Sequence, residues 1–156
     1  MKSRRLNSGT LPMAAAIAAL LLPTVASARS HAPQGGLAPL SQEDIDSIEL
    51  AGELTCSFFA KGSDAPLLLA KGDVASASRA QGAVKLATSL EPVSAPGGFD
   101  AMSKGTRFDG KGMTITIRVT GPATDAGESP ARPATLAYAP AGSAQRSVTG
   151  LWVCGP

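Results

Sequence analysis

Two cysteines, Cys56 and Cys154, constrain this 156-residue chain more than any other feature. The first lies in Leu50-Ala-Gly-Glu-Leu-Thr-Cys-Ser-Phe-Phe-Ala60, and the second closes Leu151-Trp-Val-Cys154, followed only by Gly155 and Pro156. If they bond, the first and last strands of the domain are clamped together and everything between them is enclosed. Both segments alternate. Leu50, Leu54, Cys56 and Phe58 share one strand face, and Val148, Trp152 and Cys154 share another by the same parity. A disulfide needs its two side chains to face each other. Trp152 is therefore expected on the same buried side as Leu54 and Phe58.

The beginning of the chain bears on whether the thiols are oxidised. Lys2, Arg4 and Arg5 precede an apolar run from Leu11 to Leu22, which ends at the small-residue pattern Ala26-Ser27-Ala28. A basic start, a short apolar core and an A-x-A site describe a secretory signal peptide over residues 1–28. The apolar run is too short for a membrane span, which needs about 20 residues. No membrane span is expected in the mature chain, which is read as exported, periplasmic or secreted. In an oxidising compartment a Cys56–Cys154 disulfide is the better reading than a metal or catalytic thiol pair. Removing residues 1–28 takes away three cations and no acid, so the formal charge of +2 becomes −1. A nucleic-acid partner thereby loses its electrostatic basis.

Residues 29–40 are rich in Ala, Pro and Gly and are expected to form a flexible leader, with a single β-rich domain over 41–156. Ser41 followed by Asp44 is a capping signature, with Leu40 and Ile45 at staple spacing, so a short helix is expected to about Ser47. From Ile48 the period becomes two. Strands are expected over Leu50–Phe58, from Leu67 to Ala70 or beyond, and over Gly82–Leu86. The clearest is Met113–Thr120, where Met113, Ile115, Ile117 and Val119 alternate with Thr114, Thr116, Arg118 and Thr120. Asp109-Gly110 reads as the preceding hairpin turn, in a four-residue loop that sets Phe108 against Met113. Pro92–Gly98 and Gly121–Pro133 read as irregular, and Ala134–Ala139 with Ser147–Cys154 as a final hairpin around Pro140–Ser143. Fold class follows: mainly all-β, a small antiparallel meander closed as a barrel or a sandwich, with one short N-terminal helix and one disulfide.

Catalytic signatures are sparse. Gly105–Gly112 matches G-x-x-x-x-G-K of a phosphate loop, but Gly112 stands where Ser or Thr would meet magnesium, and a strand pattern follows where a helix should open. The single histidine, His31, falls in the leader and cannot be a positioned base. With one histidine and paired cysteines, neither a metal centre nor a cofactor is expected. Asp100 and Asp109, with Glu91, are the remaining material for a carboxylate-dependent hydrolase. Contact residues are better represented. Pro96–Phe108 interleaves Phe99 and Met102 with Lys104 and Arg107, and Phe99, Ser103, Lys104 and Arg107 are the candidate binding residues. The competing reading makes the aromatic side chains core and the cations solvated.

With Thr55-Cys56 in an early strand and Cys154 at the C-terminus, the chain resembles small exported bacterial β-domain proteins. In outline it resembles the periplasmic inhibitors of C-type lysozyme. That resemblance implies a small β-barrel whose serine-bearing loop and basic residue enter the lysozyme cleft, and Ser103 and Lys104 are the nearest positions. The S-G-x-x-Y pattern of that family is replaced here by Ser103-Lys-Gly-Thr-Arg-Phe108. The expected function is a non-enzymatic binding or envelope-associated module, its partner an envelope protein or cell-wall component. An inhibitor or accessory of a cell-wall hydrolase, and a carboxylate-dependent hydrolase, are the alternatives.

Overall fold

In the computed structural model, which describes residues 36–156, strand β2 (Leu54–Ala60) lies antiparallel to strand β9 (Arg146–Gly155), with Cys56 directly opposite Cys154. The two are joined by a disulfide across 98 residues of sequence. The expected signal peptide and residues 29–35 lie outside the described residues. Between these strands run β3 (Pro66–Gly72), β4 (Ala80–Leu86), β5 (Ser89–Ala95), a one-turn helix α2 (Phe99–Met102), β6 (Arg107–Gly110), β7 (Met113–Val119) and β8 (Ala131–Pro140). Each strand pairs antiparallel with the next, and β9 returns to β2. The meander is thus an eight-stranded closed antiparallel barrel rather than a sandwich. Closure gives every strand of the ring a neighbour on each side, the shortest ladder being β5–β6.

Alternation along the strands decides the contents. Phe58, Val84, Phe108, Ile115, Leu136 and Trp152 are fully buried, as expected of an eight-stranded barrel whose interior is just wide enough for side chains. Phe58 lies opposite Trp152, which places the indole on the buried side with the disulfide, as the parity of the two cysteines required. Phe108 and Trp152 meet edge to face with centroids 6.5 Å apart. At one mouth α2 inserts Met102, whose carbonyl accepts a 3.1 Å hydrogen bond from Trp152 Nε1. At the other mouth the buried Leu37 and Leu40 close the barrel, and Leu40 N donates to Pro66 O.

The leader expected through Leu40 therefore ends earlier. Leu37–Ala38 form a short strand β1 against the end of β4, because burying two leucines offsets the entropy of ordering their backbone. The expected capping box is present in helix α1 (Gln42–Ser47): Asp44 N donates to Ser41 Oγ, and Ser41 N donates to Asp44 Oδ2. Lys85 on β4 reaches across to Asp44 at 2.6 Å and fastens this helix to the barrel wall.

Three further expectations are corrected by the register. The β6–β7 turn is Lys111-Gly112, not Asp109-Gly110, and Phe108 faces Ile115 instead of Met113. Gly112 supplies the positive φ of 69° that the turn needs. Gly110 stays in the strand because a Cβ there would come within 2.9 Å of Val93. Pro92 belongs to β5 rather than to an irregular stretch. The β5–β6 ladder covers only Val93 and Ser94, so the missing N–H of Pro92 lies just beyond it. Strand β8 begins at Ala131, inside the expected Gly121–Pro133 loop, and Pro133 O accepts from Thr120 N.

Two outcomes test this scaffold. Replacing both cysteines with Ala should lower the urea midpoint by the equivalent of about 4–5 kcal/mol, the chain-entropy value for a loop of this length. Ala87, in the β4–β5 turn, has φ of 51°. Ala87→Gly should therefore stabilise the fold by about 0.5–1 kcal/mol in the same measurement, whereas Ala→Gly usually costs stability.

Candidate functional site

Helix α2 is set at the barrel mouth by backbone bonds. Gly98 N donates to Ser76 O, Phe99 N to Asp73 O, and Ser103 N to Phe99 O. The Asp100 carboxylate accepts from Ala75 N at 2.8 Å, and Glu53 accepts from Val74 N at 3.0 Å. Between α2, the start of β2, the end of β9 and the loop leading into β8 lies a crevice of about 280 Å3. Leu54, Phe99 and Trp152 make its apolar side, while Ser103, Glu128 and Arg132 supply polar groups. Glu128 and Arg132 are exposed, and Phe99 and Ser103 are half-buried. The disulfide lies at the same place, since Cys154 also borders the crevice.

The four candidate contact residues divide into two pairs. Phe99 and Ser103 meet in the crevice. Lys104 and Arg107 do not border it; Lys104 is exposed beyond the helix, and Arg107 on β6 pairs with Asp109 at 2.9 Å. Met102, which with Phe99 supplied the apolar part of the segment's pattern, is core, as is Phe108. Glu128 and Arg132 do not stand out in the sequence, because the pattern around them predicts an irregular loop. Extending the parity of Ala134, Leu136 and Tyr138 back by one step reaches Arg132, a cation at an inward-phased position, and that was the available signal.

The carboxylates considered for catalysis are held apart. Asp100 serves the loop at Ala75, and Asp109 accepts from Arg107 Nε and from the Thr114 hydroxyl. The stretch resembling a phosphate loop is β6 with its hairpin into β7. Among the described residues no three His, Cys, Asp or Glu side chains are grouped to hold a metal ion, and no helix is long and apolar enough to cross a membrane.

A second, larger depression of about 650 Å3 lies on the outer wall. Phe59 and Leu151 line it, together with Lys61 and Asp64 of the β2–β3 turn. It is separate from the crevice and lies toward the opposite ends of the same two strands. No family model, no curated protein and no solved structure matches the chain.

Among the described residues, the one strongly displaced acidity belongs to the scaffold rather than to either depression. The hydrogen bond from Lys85, aided by the backbone and hydroxyl of Ser41, lowers the Asp44 pKa from 3.8 to about 2. A carboxyl whose pKa is depressed on folding stabilises the fold above its unfolded value, and that stabilisation is lost as pH falls through the folded value. Lys85→Met should accordingly lower the denaturation midpoint above pH 5, and the difference from the parent should shrink as pH falls from about 4 to 2, followed by urea titration at each pH.

Proposed function

We propose that this chain is an exported, non-enzymatic binding module that receives part of an envelope protein or cell-wall component at the α2 mouth. The observation that carries this reading is the crevice, an apolar recess bordered by the exposed and oppositely charged Arg132 and Glu128. Its walls are anchored by the Trp152–Met102 hydrogen bond and by the disulfide. A rigid recess of this kind orders few groups on binding, so little of the contact energy is lost to side-chain entropy. The disulfide and the signal-peptide pattern at the start of the chain support a periplasmic or secreted location.

A second reading, an inhibitor or accessory of a cell-wall hydrolase, draws on Ser103 and the exposed Lys104, which follow α2 at this mouth. The carboxylate-dependent hydrolase has less support, because Asp100 and Asp109 each answer to a structural donor.

Crosslinking capture from envelope extract, with the chain exported through its own leader, separates these readings. One dominant partner should be recovered, lost with Arg132→Glu and retained with Arg107→Glu. Loss with Lys104→Glu and retention with Arg132→Glu would move the contact to the helix end and favour the inhibitor reading. Recovery of nothing above background would refute a macromolecular partner at this mouth.

A further inference from the structure

One bank of the α2 crevice has a regular pattern. From the chain leading into β8 it takes Glu128, Pro130 and Arg132, every second residue, and omits Ser129 and Ala131. The β8–β9 register explains the phase. Ala131 lies opposite Val153, and two further steps bring Ser129 to Gly155, where a Cβ on the glycine would strike Ser129 and the Glu128 carbonyl. The chain therefore runs beside the end of β9 from Glu128 onward. Asp125 fixes its approach by accepting from Gly127 N and Ala131 N, each at 3.3 Å. Alternate residues of an extended chain point the same way, so this bank reads acid, apolar, base. Four residues of extended chain span about 13 Å, which holds the two charges apart. The ion pairs among the described residues are Lys85–Asp44 and Arg107–Asp109, so Glu128 and Arg132 do not neutralise each other.

We propose that the mouth takes an extended polypeptide segment of a partner protein, with a base, a large apolar residue and an acid at alternate positions. This rests on the reading of the mouth as the binding site and narrows its occupant to a peptide. An extended peptide repeats its side chains on one face about every 6.6 Å, the interval of the bank itself. An acid then meets Arg132 and a base meets Glu128, while the residue between them enters the recess at Leu54, Phe99 and Trp152. A neutral glycan would match neither charge. At about 280 Å3 the recess falls below the roughly 300–1,000 Å3 of small-molecule sites, a size for one anchoring side chain rather than a whole ligand. Strand addition to β8 is not the means, because β7 and β9 flank it on both sides. The apolar anchor supplies affinity, and the two charges set register.

Fluorescence anisotropy of labelled, end-blocked peptides titrated with the exported chain tests this. Peptides carrying Glu-Ser-Leu-Ser-Lys and Lys-Ser-Leu-Ser-Glu cover both chain directions, and at least one should bind saturably. Replacing its Leu with Ala should weaken binding by about tenfold, as loss of a central anchor does. Arg132→Glu should weaken it about two- to fivefold, the size of an exposed ion pair, and move the preference to a peptide with Lys at both charged positions. Glu128→Lys should move the preference to a peptide with Glu at both. Both positions are exposed, and an unchanged urea midpoint confirms that each variant is folded. Binding indifferent to the peptide's Leu or to these charge exchanges overturns the proposal. If no peptide binds while envelope capture still depends on Arg132, this inference falls and the reading of the mouth stands; if both fail, the reading falls with it.

Discussion

Everything in this structure depends on the seam between β2 and β9. Around the rest of the ring, each ladder joins strands consecutive in the chain, so each forms across a connection far shorter than the stretch that the seam closes. The seam alone joins residues 98 apart, and it is there that the disulfide sits. Loop-closure entropy grows with the length of chain enclosed, so a covalent link at the ends removes more disorder from the unfolded chain than one within any single hairpin. The same seam holds the Phe58–Trp152 pair, so apolar burial and the covalent bond act on the same register. A slip by one residue would turn Trp152 to solvent and draw the sulfur atoms apart, which makes the register self-enforcing.

Closure at eight strands also determines where function can lie. The lumen is occupied by Trp152, Phe58, Phe108 and their aliphatic neighbours, while Met102 and the Leu37–Leu40 segment fill the mouths. A ligand must then be met by the rim or by the wall. Both candidate surfaces are built on the seam: the crevice at the Leu54 and Cys154 ends of the two strands, the groove at their Phe59 and Leu151 positions. The covalent bond thus supports both depressions as well as the fold. Asp44 and Lys85, the partners of the most strongly perturbed acidity, take no part in either; they hold α1 to β4.

Much of this was legible wherever the sequence alternates between branched apolar and polar residues. Strands β2, β7 and β9 follow from parity, the disulfide from two cysteines behind a signal-peptide pattern, and the burial of Trp152 from the two together. Strand β5 and the first residues of β8 are not, because Pro92 and Pro133 look like strand breakers in the sequence. Their positions show why that rule failed: Pro92 lies just outside the short β5–β6 ladder, and Pro133 contributes through its carbonyl. Gly110 misled for a different reason. It looks like half of a turn, yet its lack of a side chain is what lets β6 approach Val93 on β5 and Met113 on β7. Likewise Leu37 and Leu40 sit in Ala/Gly/Pro-rich surroundings, and only the β4 edge and Pro66, distant in sequence, reveal what they cover. At the candidate site, Phe99 and Ser103 were visible in the sequence. Arg132 and Glu128 were not, since what places them beside α2 is barrel closure, a contact that no local pattern records.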